Sequence, residues 1–381
     1  MTKNVLFTTA LLVFAVLIGC TESNPITSVD LVSPGEVRKV VFSPPSFDTT
    51  TSRIKNIGSS SQLFIGNSDG KSMMTLFRFK NIPDSIVVHD ATLVLYGMDF
   101  KGDSGLTAEA SLHKSTVEWE ESEVTFETFG NAFDPVPMAT TTIVASDSDT
   151  VRIALDTDLV ESWADTNAAN YGVLLRAPSA AFSKRFVSTE NTTRQPRVEF
   201  NYTRIGRDDT TSASVIAEVD VTIFELTAQP PEGPLYIGNG LEHRVLFNFD
   251  ISSIPANVTI NNATLTLTID RENSFFYPEP FNSTAGRLTE ESNDPMLAAF
   301  DSTAFTSGPF TIVNGDSSEL KINLSNMVQR WNSGADPNYG FVLISLRSAV
   351  DFSRVAFYSS QADSSLRPRL DVTYSIPDQD Q

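Results

Sequence analysis

Trp163-Ala164-Asp165-Thr166-Asn167-Ala168-Ala169-Asn170-Tyr171-Gly172-Val173-Leu174-Leu175 returns later in the chain as Trp331-Asn332-Ser333-Gly334-Ala335-Asp336-Pro337-Asn338-Tyr339-Gly340-Phe341-Val342-Leu343. The two stretches keep the same tryptophan, the same loop length and the same Tyr-Gly before an apolar run. Upstream, Leu159, Val160 and Trp163 fall on one helical face, as do Leu324, Met327, Val328 and Trp331,. The spacing predicts a short helix in each copy, capped by Asp156 or Asp158 in the first and by Ser325 or Asn323 in the second. The apolar run after each Tyr-Gly reads as a buried strand. Trp163, Tyr171, Trp331 and Tyr339 are thus expected to form a structural plug that seats each helix on a sheet.

Working outward, the rest of the chain doubles around these phrases. Leu63-Phe64-Ile65-Gly66-Asn67 is echoed by Leu235-Tyr236-Ile237-Gly238-Asn239, and Ala91-Thr92-Leu93-Val94-Leu95 by Ala263-Thr264-Leu265-Thr266-Leu267. Glu120-Glu121-Ser122 has its echo in Glu290-Glu291-Ser292, and Pro196-Arg197 in Pro368-Arg369. So long a period means tandem domains rather than a solenoid. Within each copy, Thr75 to Phe79 and Val245 to Phe249 alternate as strands do, and short β-branched runs are separated by turn residues,. The expected fold is all-β: two tandem antiparallel jelly-roll β-sandwiches, each with one short helix. The expected bounds are a leader at 1–19, a tether at 20–37, sandwiches at 38–204 and 205–376, and a tail at 377–381. The boundary is placed at the polar stretch Arg204 to Thr210.

The order of phrases carries a resemblance. An Asp-led leading segment is followed by Leu-x-Ile-Gly, Leu76-Phe77-Arg78-Phe79, Ile82-Pro83, Ala-x-Leu-x-Leu, Trp119-Glu120-Glu121, Trp163…Tyr171-Gly172 and a closing Pro196-Arg197-Val198 strand. This resembles the DNRLRE-type domain of bacterial surface proteins, similar to a carbohydrate-binding jelly-roll module, twice over. The resemblance implies glycan binding without catalysis. The second copy departs from it: Asn248 stands in place of Arg78, and Thr289 in place of Trp119.

At the start of the chain, Lys3 precedes an apolar run from Val5 to Ile18 that is too short to span a membrane comfortably,. The run has the architecture of an export signal. It ends Leu17-Ile18-Gly19-Cys20, which resembles a bacterial lipobox and implies cleavage before Cys20 and lipid attachment to it. Several acyl chains hold a protein firmly where one is marginal. The expected location is therefore the cell envelope, outer membrane, with membrane contact through the lipid only.

Cys20 is the single cysteine, so neither a disulfide framework nor a thiolate site is available to the mature chain,. The net charge of −20 disfavours nucleic acid as a partner,. None of His89, His113 and His243 sits in a zinc-binding spacing, and neither a Gly-x-Ser-x-Gly elbow nor a phosphate loop occurs,. Glu118, Glu120, Glu121 and Glu123 surround Trp119, and read best as charges on a solvated edge strand,. Asp48 and Asp220 occupy equal positions in the two copies and are the candidates for a structural Ca²⁺, although one carboxylate is far short of a full shell,. Phe275, Phe276, Tyr277 and Phe281, in a proline-bearing loop, are the candidate ligand-binding rings,. The expected function is a monomeric, non-enzymatic lipoprotein that binds a polysaccharide or other surface glycan. The alternative is a structural or adhesive surface protein that contacts other proteins.

Overall fold

The computed structural model describes residues 37–165, 168–277, 279–305, 310–312 and 318–376. Cys20, the leader, the tether up to residue 36 and the tail lie outside the described residues. The fold is all-β, with an 11-stranded and a 12-stranded antiparallel sheet. One long strand bends each sheet into a sandwich: Ile86–Lys101 in the first and Thr259–Phe275 in the second. The front of Ile86–Lys101 pairs with Arg197–Arg204 and Thr150–Ala154 in one layer. Its end pairs with Ser183–Val187 in the other layer, across a register shift. Such irregularities bend a strand and sharpen its twist. Between the layers lie Phe77, Leu93, Leu95, Leu175 and Phe186 in the first unit, and Phe247, Leu265, Leu267, Leu343 and Phe357 in the second.

The helices form where the periodicity places them. Thr157–Ala164 starts with the Asp156 carboxylate accepting the Asp158 N–H at 3.0 Å. Ser325–Asn332 starts differently: Asn323 Oδ1 accepts the Ser325 N–H at 2.9 Å, and the Ser325 hydroxyl accepts the Ala263 N–H of the neighbouring strand. Glu118 to Glu123, read as an edge strand, forms no strand, and a one-turn helix, Phe126–Phe129, follows it. That segment turns because Glu123 and Val124 donate back to the Glu120 carbonyl. Trp163 and Trp331 are 9% and 7% exposed and belong to the two sandwich cores. The Trp163 ring stacks on Phe79 at 5.2 Å.

The domain boundary expected between 204 and 205 falls inside the first sheet. Arg204 to Thr210 is a turn between paired strands, since Arg197–Arg204 runs antiparallel to Thr210–Ile216. Val219–Leu226 then pairs with Lys71–Arg78. The leading strands of the second copy thus complete the first sheet. Reciprocally, Val37–Phe42 pairs with Arg369–Ser375, and Phe47–Ile54 with Leu241–Asn248, so the leading strands of the first copy complete the second sheet. The first unit is therefore continuous, from Gln62 to Leu226, and sits as an insertion between the second unit's second and third strands.

The units meet on an apolar cluster. Phe64, Met73 and Phe224 of the first unit pack on Leu241, Tyr277 and Phe352 of the second. Phe64 meets Tyr277 edge-on at 5.2 Å and Phe352 at 4.9 Å. Charged pairs surround the rings. Arg185 bonds both Asp99 of its own unit and Glu279 of the other, over the face of Tyr277. Arg354 reaches Asp69 across the junction at 2.8 Å, and Asp69 also holds the buried Lys71 at 2.7 Å.

Candidate functional site

The aromatic rings expected to meet a ligand are turned inward: Tyr277, with Phe275 beside it, meets the other unit, and Phe276 and Phe281 lie in the second core. Tyr277 is 2% exposed, Phe276 and Phe281 are buried, and Phe275 is half-buried with its ring edge-on to Tyr277. Tyr277 takes its place in the seam between the units, and its hydroxyl lies 3.2 Å from Ser183 Oγ. Burial drives its hydroxyl pKa up to about 12. A loop rich in rings and prolines reads alike as a platform or as a seal; here two units have apolar faces to cover, and the loop covers them.

A different surface has the composition of a binding site. In the first unit Trp119 is buried beside the Tyr-Gly turn, and its Nε1 donates to the Tyr171 carbonyl at 2.7 Å. The Arg78 guanidinium lies 5.2 Å over the indole and donates to the Trp119 carbonyl. The second unit has neither side chain at the matching positions, Thr289 and Asn248. There a cleft of about 570 Å³ lies beside Tyr339, lined also by Phe47, Asn248, Glu291, Asn293 and Asn338. Asn248 Oδ1 accepts from the Ser46 hydroxyl at 3.2 Å, which turns the amide along the cleft wall. Phe47, 37% exposed, comes from the exchanged strand, so both copies build this wall. Two half-exposed rings with amides and one carboxylate suit a ligand with apolar C–H faces and many hydroxyls.

The structure also gathers carboxylates that the sequence scatters. One oxygen each of Glu121, Glu190 and Asp220 lies within 4.8 Å of the others. Asp220 comes in on the exchanged strand Val219–Leu226 and is fully buried. Its Oδ2 accepts the Thr189 N–H at 3.0 Å, its own N–H donates to Glu121 Oε1, and its Oδ1 has no partner. Asp48, the matching residue, belongs to no such group among the described residues: its oxygens accept the Ser360 N–H at 2.6 Å and the Ser360 hydroxyl at 2.7 Å. The remaining glutamates of the Trp119 segment, Glu118, Glu120 and Glu123, are exposed.

The histidines sit in unlike places. His89 is exposed and touches Thr203, while His113 is buried between Ser111 Oγ at 2.9 Å and the Asp134 carbonyl at 2.8 Å. His243 is buried under Tyr236 with Nε2 unpartnered. The Tyr-Gly phrase owes its repeat to geometry. Gly172 and Gly340 have φ of +77° and +90°, and a Cβ on either would strike the carbonyl of Phe77 or Phe247 on the adjoining strand,. The asparagine before each tyrosine holds the turn. Asn170 accepts the Gly172 N–H at 3.0 Å and donates to the Phe79 carbonyl at 2.7 Å, and Asn338 repeats both bonds to Gly340 and Phe249.

No protein-family model matches the chain, and no curated protein matches it. Among solved structures, one titled "Structure of the Macrobrachium rosenbergii Nodavirus" aligns over 94% of this chain and 98% of that one. Its identity is 9% and its TM-score 0.17, too low for any argument about fold or function. The resemblance to DNRLRE-type modules therefore stands on the phrases quoted above.

Proposed function

We propose that this protein is a non-catalytic, lipid-anchored envelope protein that binds a glycan in the cleft of its second unit. The observation that carries the reading is the ring-and-amide cleft of Phe47, Tyr339, Asn248 and Asn338, in which Asn248 stands where the first unit has Arg78. A single carboxylate, Glu291, lines that cleft, whereas glycoside hydrolysis ordinarily uses two,. Supporting the other reading, a structural or adhesive surface protein, is the burial of Tyr277 in the seam and of Phe276 and Phe281 in the second core, which leaves those rings unable to meet a sugar.

One experiment separates them. The chain from Thr21 onward contains every described strand, and can be screened on a glycan array and then titrated with any hit. Phe47→Ala should weaken binding about tenfold, the loss of roughly 1.4 kcal/mol of ring contact. Asn248→Arg, which restores the first unit's residue at a position that lines the cleft, should abolish binding. An array without a hit, or a hit indifferent to both substitutions, overturns the glycan reading in favour of the adhesive one.

A further inference from the structure

We infer that Glu121, Glu190 and Asp220 form a calcium site that clasps the exchanged strand Val219–Leu226 to the first unit. The inference is independent of the glycan cleft, which lies in the other unit. Three ligand oxygens within 4.8 Å bring together negative charge that something must offset,. One of the three residues, Asp220, is fully buried, and its Oδ1 has no hydrogen-bond partner. An unpaired buried carboxylate oxygen carries its full desolvation penalty. Hard divalent cations take such oxygens, and calcium accepts an irregular shell completed by water. Water has access: a cleft of about 580 Å³ opens onto Glu121 and Glu190.

The charged neighbours do not neutralise the cluster. Lys55 lines the same cleft, and none of the ion pairs found among the described residues joins it to the three carboxylates. Arg78 is the nearest positive influence on Glu121 and is itself paired with Glu218 at 3.1 Å. Burial first, and Glu190 second, hold the Asp220 carboxyl well above the usual range, against the Thr189 N–H that favours its anion. Burial likewise raises Glu121, opposed by the Asp220 N–H.

The second unit supplies an internal contrast. There Ser360 donates its hydroxyl to Asp48 Oδ1, filling the role left open at Asp220, and Gln361 stands where Glu190 stands in the first unit. One copy thus satisfies its aspartate with a hydroxyl and drops a charge. The other keeps all three carboxyl groups and leaves an oxygen open.

The test uses the chain from Thr21 onward, stripped with a chelator and titrated with calcium chloride. Calorimetry should find one site per chain, and saturation should raise the melting temperature at pH 7. Glu190→Gln, the second unit's own residue, should weaken the calcium affinity by about tenfold or more, since affinity follows ligand charge. It should leave the chelator-treated melting temperature unchanged or higher, because it removes repulsion at an exposed side chain. Absence of calcium heat, or equal affinity in Glu190→Gln, overturns the inference. So does a melting temperature that ignores calcium and rises on acidification, which would mean that a proton neutralises the cluster instead.

Discussion

At the residue scale, the repeated tryptophan and the repeated glycine do different work. Trp163 fills the space between helix and sheet, so Trp163→Ala should lower stability by about 3–5 kcal/mol in denaturant titrations. Gly172→Ala meets a carbonyl and a left-handed backbone at once, so a methyl group alone should destabilise measurably. The sequence announces both residues by repeating them, but it does not reveal Asn170 and Asn338, which look like ordinary loop polarity until their amides are seen bridging turn and strand. His243 gives a pH prediction. Burial, then the charges of Arg354 and Lys71, push it down to about 3 from an ordinary 6.5. Below pH 6.5 the unfolded chain takes up a proton that the folded chain refuses. Stability from this group is therefore full above 6.5 and falls as pH drops toward 3, by up to about 1.4 kcal/mol per pH unit. The raised carboxyls Asp220, Glu121 and Asp351 slope the other way, so the measurement is the difference between wild type and His243→Leu. That difference should shift toward the variant as pH falls from 6.5 to 4.

At the scale of elements, the strands were legible because β-branched alternation and turn residues mark them locally. Their partners were not, because pairing is decided by edges far apart in sequence. Nothing in Val219–Leu226 distinguishes an edge in its own copy from an edge in the other. Thr222 shows how closely the exchanged strand fits. Its hydroxyl accepts the Phe64 N–H at 2.8 Å and faces Thr75 at 3.2 Å, while Thr75 donates to the Phe64 carbonyl. Thr50 does the corresponding work against Tyr236 and Arg244 in the second unit. Thr222→Val keeps the shape and removes the acceptor, leaving a buried N–H without a partner. Equilibrium unfolding should show a loss of about 1–3 kcal/mol, whereas a freely adaptable strand would lose almost nothing. The carboxylate cluster was hidden for the same reason: Glu121, Glu190 and Asp220 converge only once that strand has crossed over.

For the whole molecule, the exchange changes what counts as a domain. Residues 38–204 lack two strands of the first sheet and carry two that belong to the second. Expressed alone, that piece should not unfold cooperatively, whereas residues 56–228, which hold the first sheet entire, should melt as a single transition by circular dichroism. A cooperative 38–204 fragment would contradict the pairing described above. Two copies and two sandwiches were readable from repetition alone. The insertion of one in the other was not, because a tandem repeat and a repeat with exchanged leading strands have the same sequence pattern. The register of the outermost pair, Val37 opposite Ser375, has a further consequence in time. During synthesis Val37–Ile54 emerges before either of its partners: Phe47–Ile54 waits for Leu241–Asn248, and Val37–Phe42 waits for Arg369–Ser375. The inserted unit can finish early, from contacts that are all within reach. The second must wait with two open strand edges, the kind that pair with neighbouring chains. Its slow step is the pairing of Val37–Phe42 with Arg369–Ser375, and once it is made, Val37 and Ser375 lie side by side.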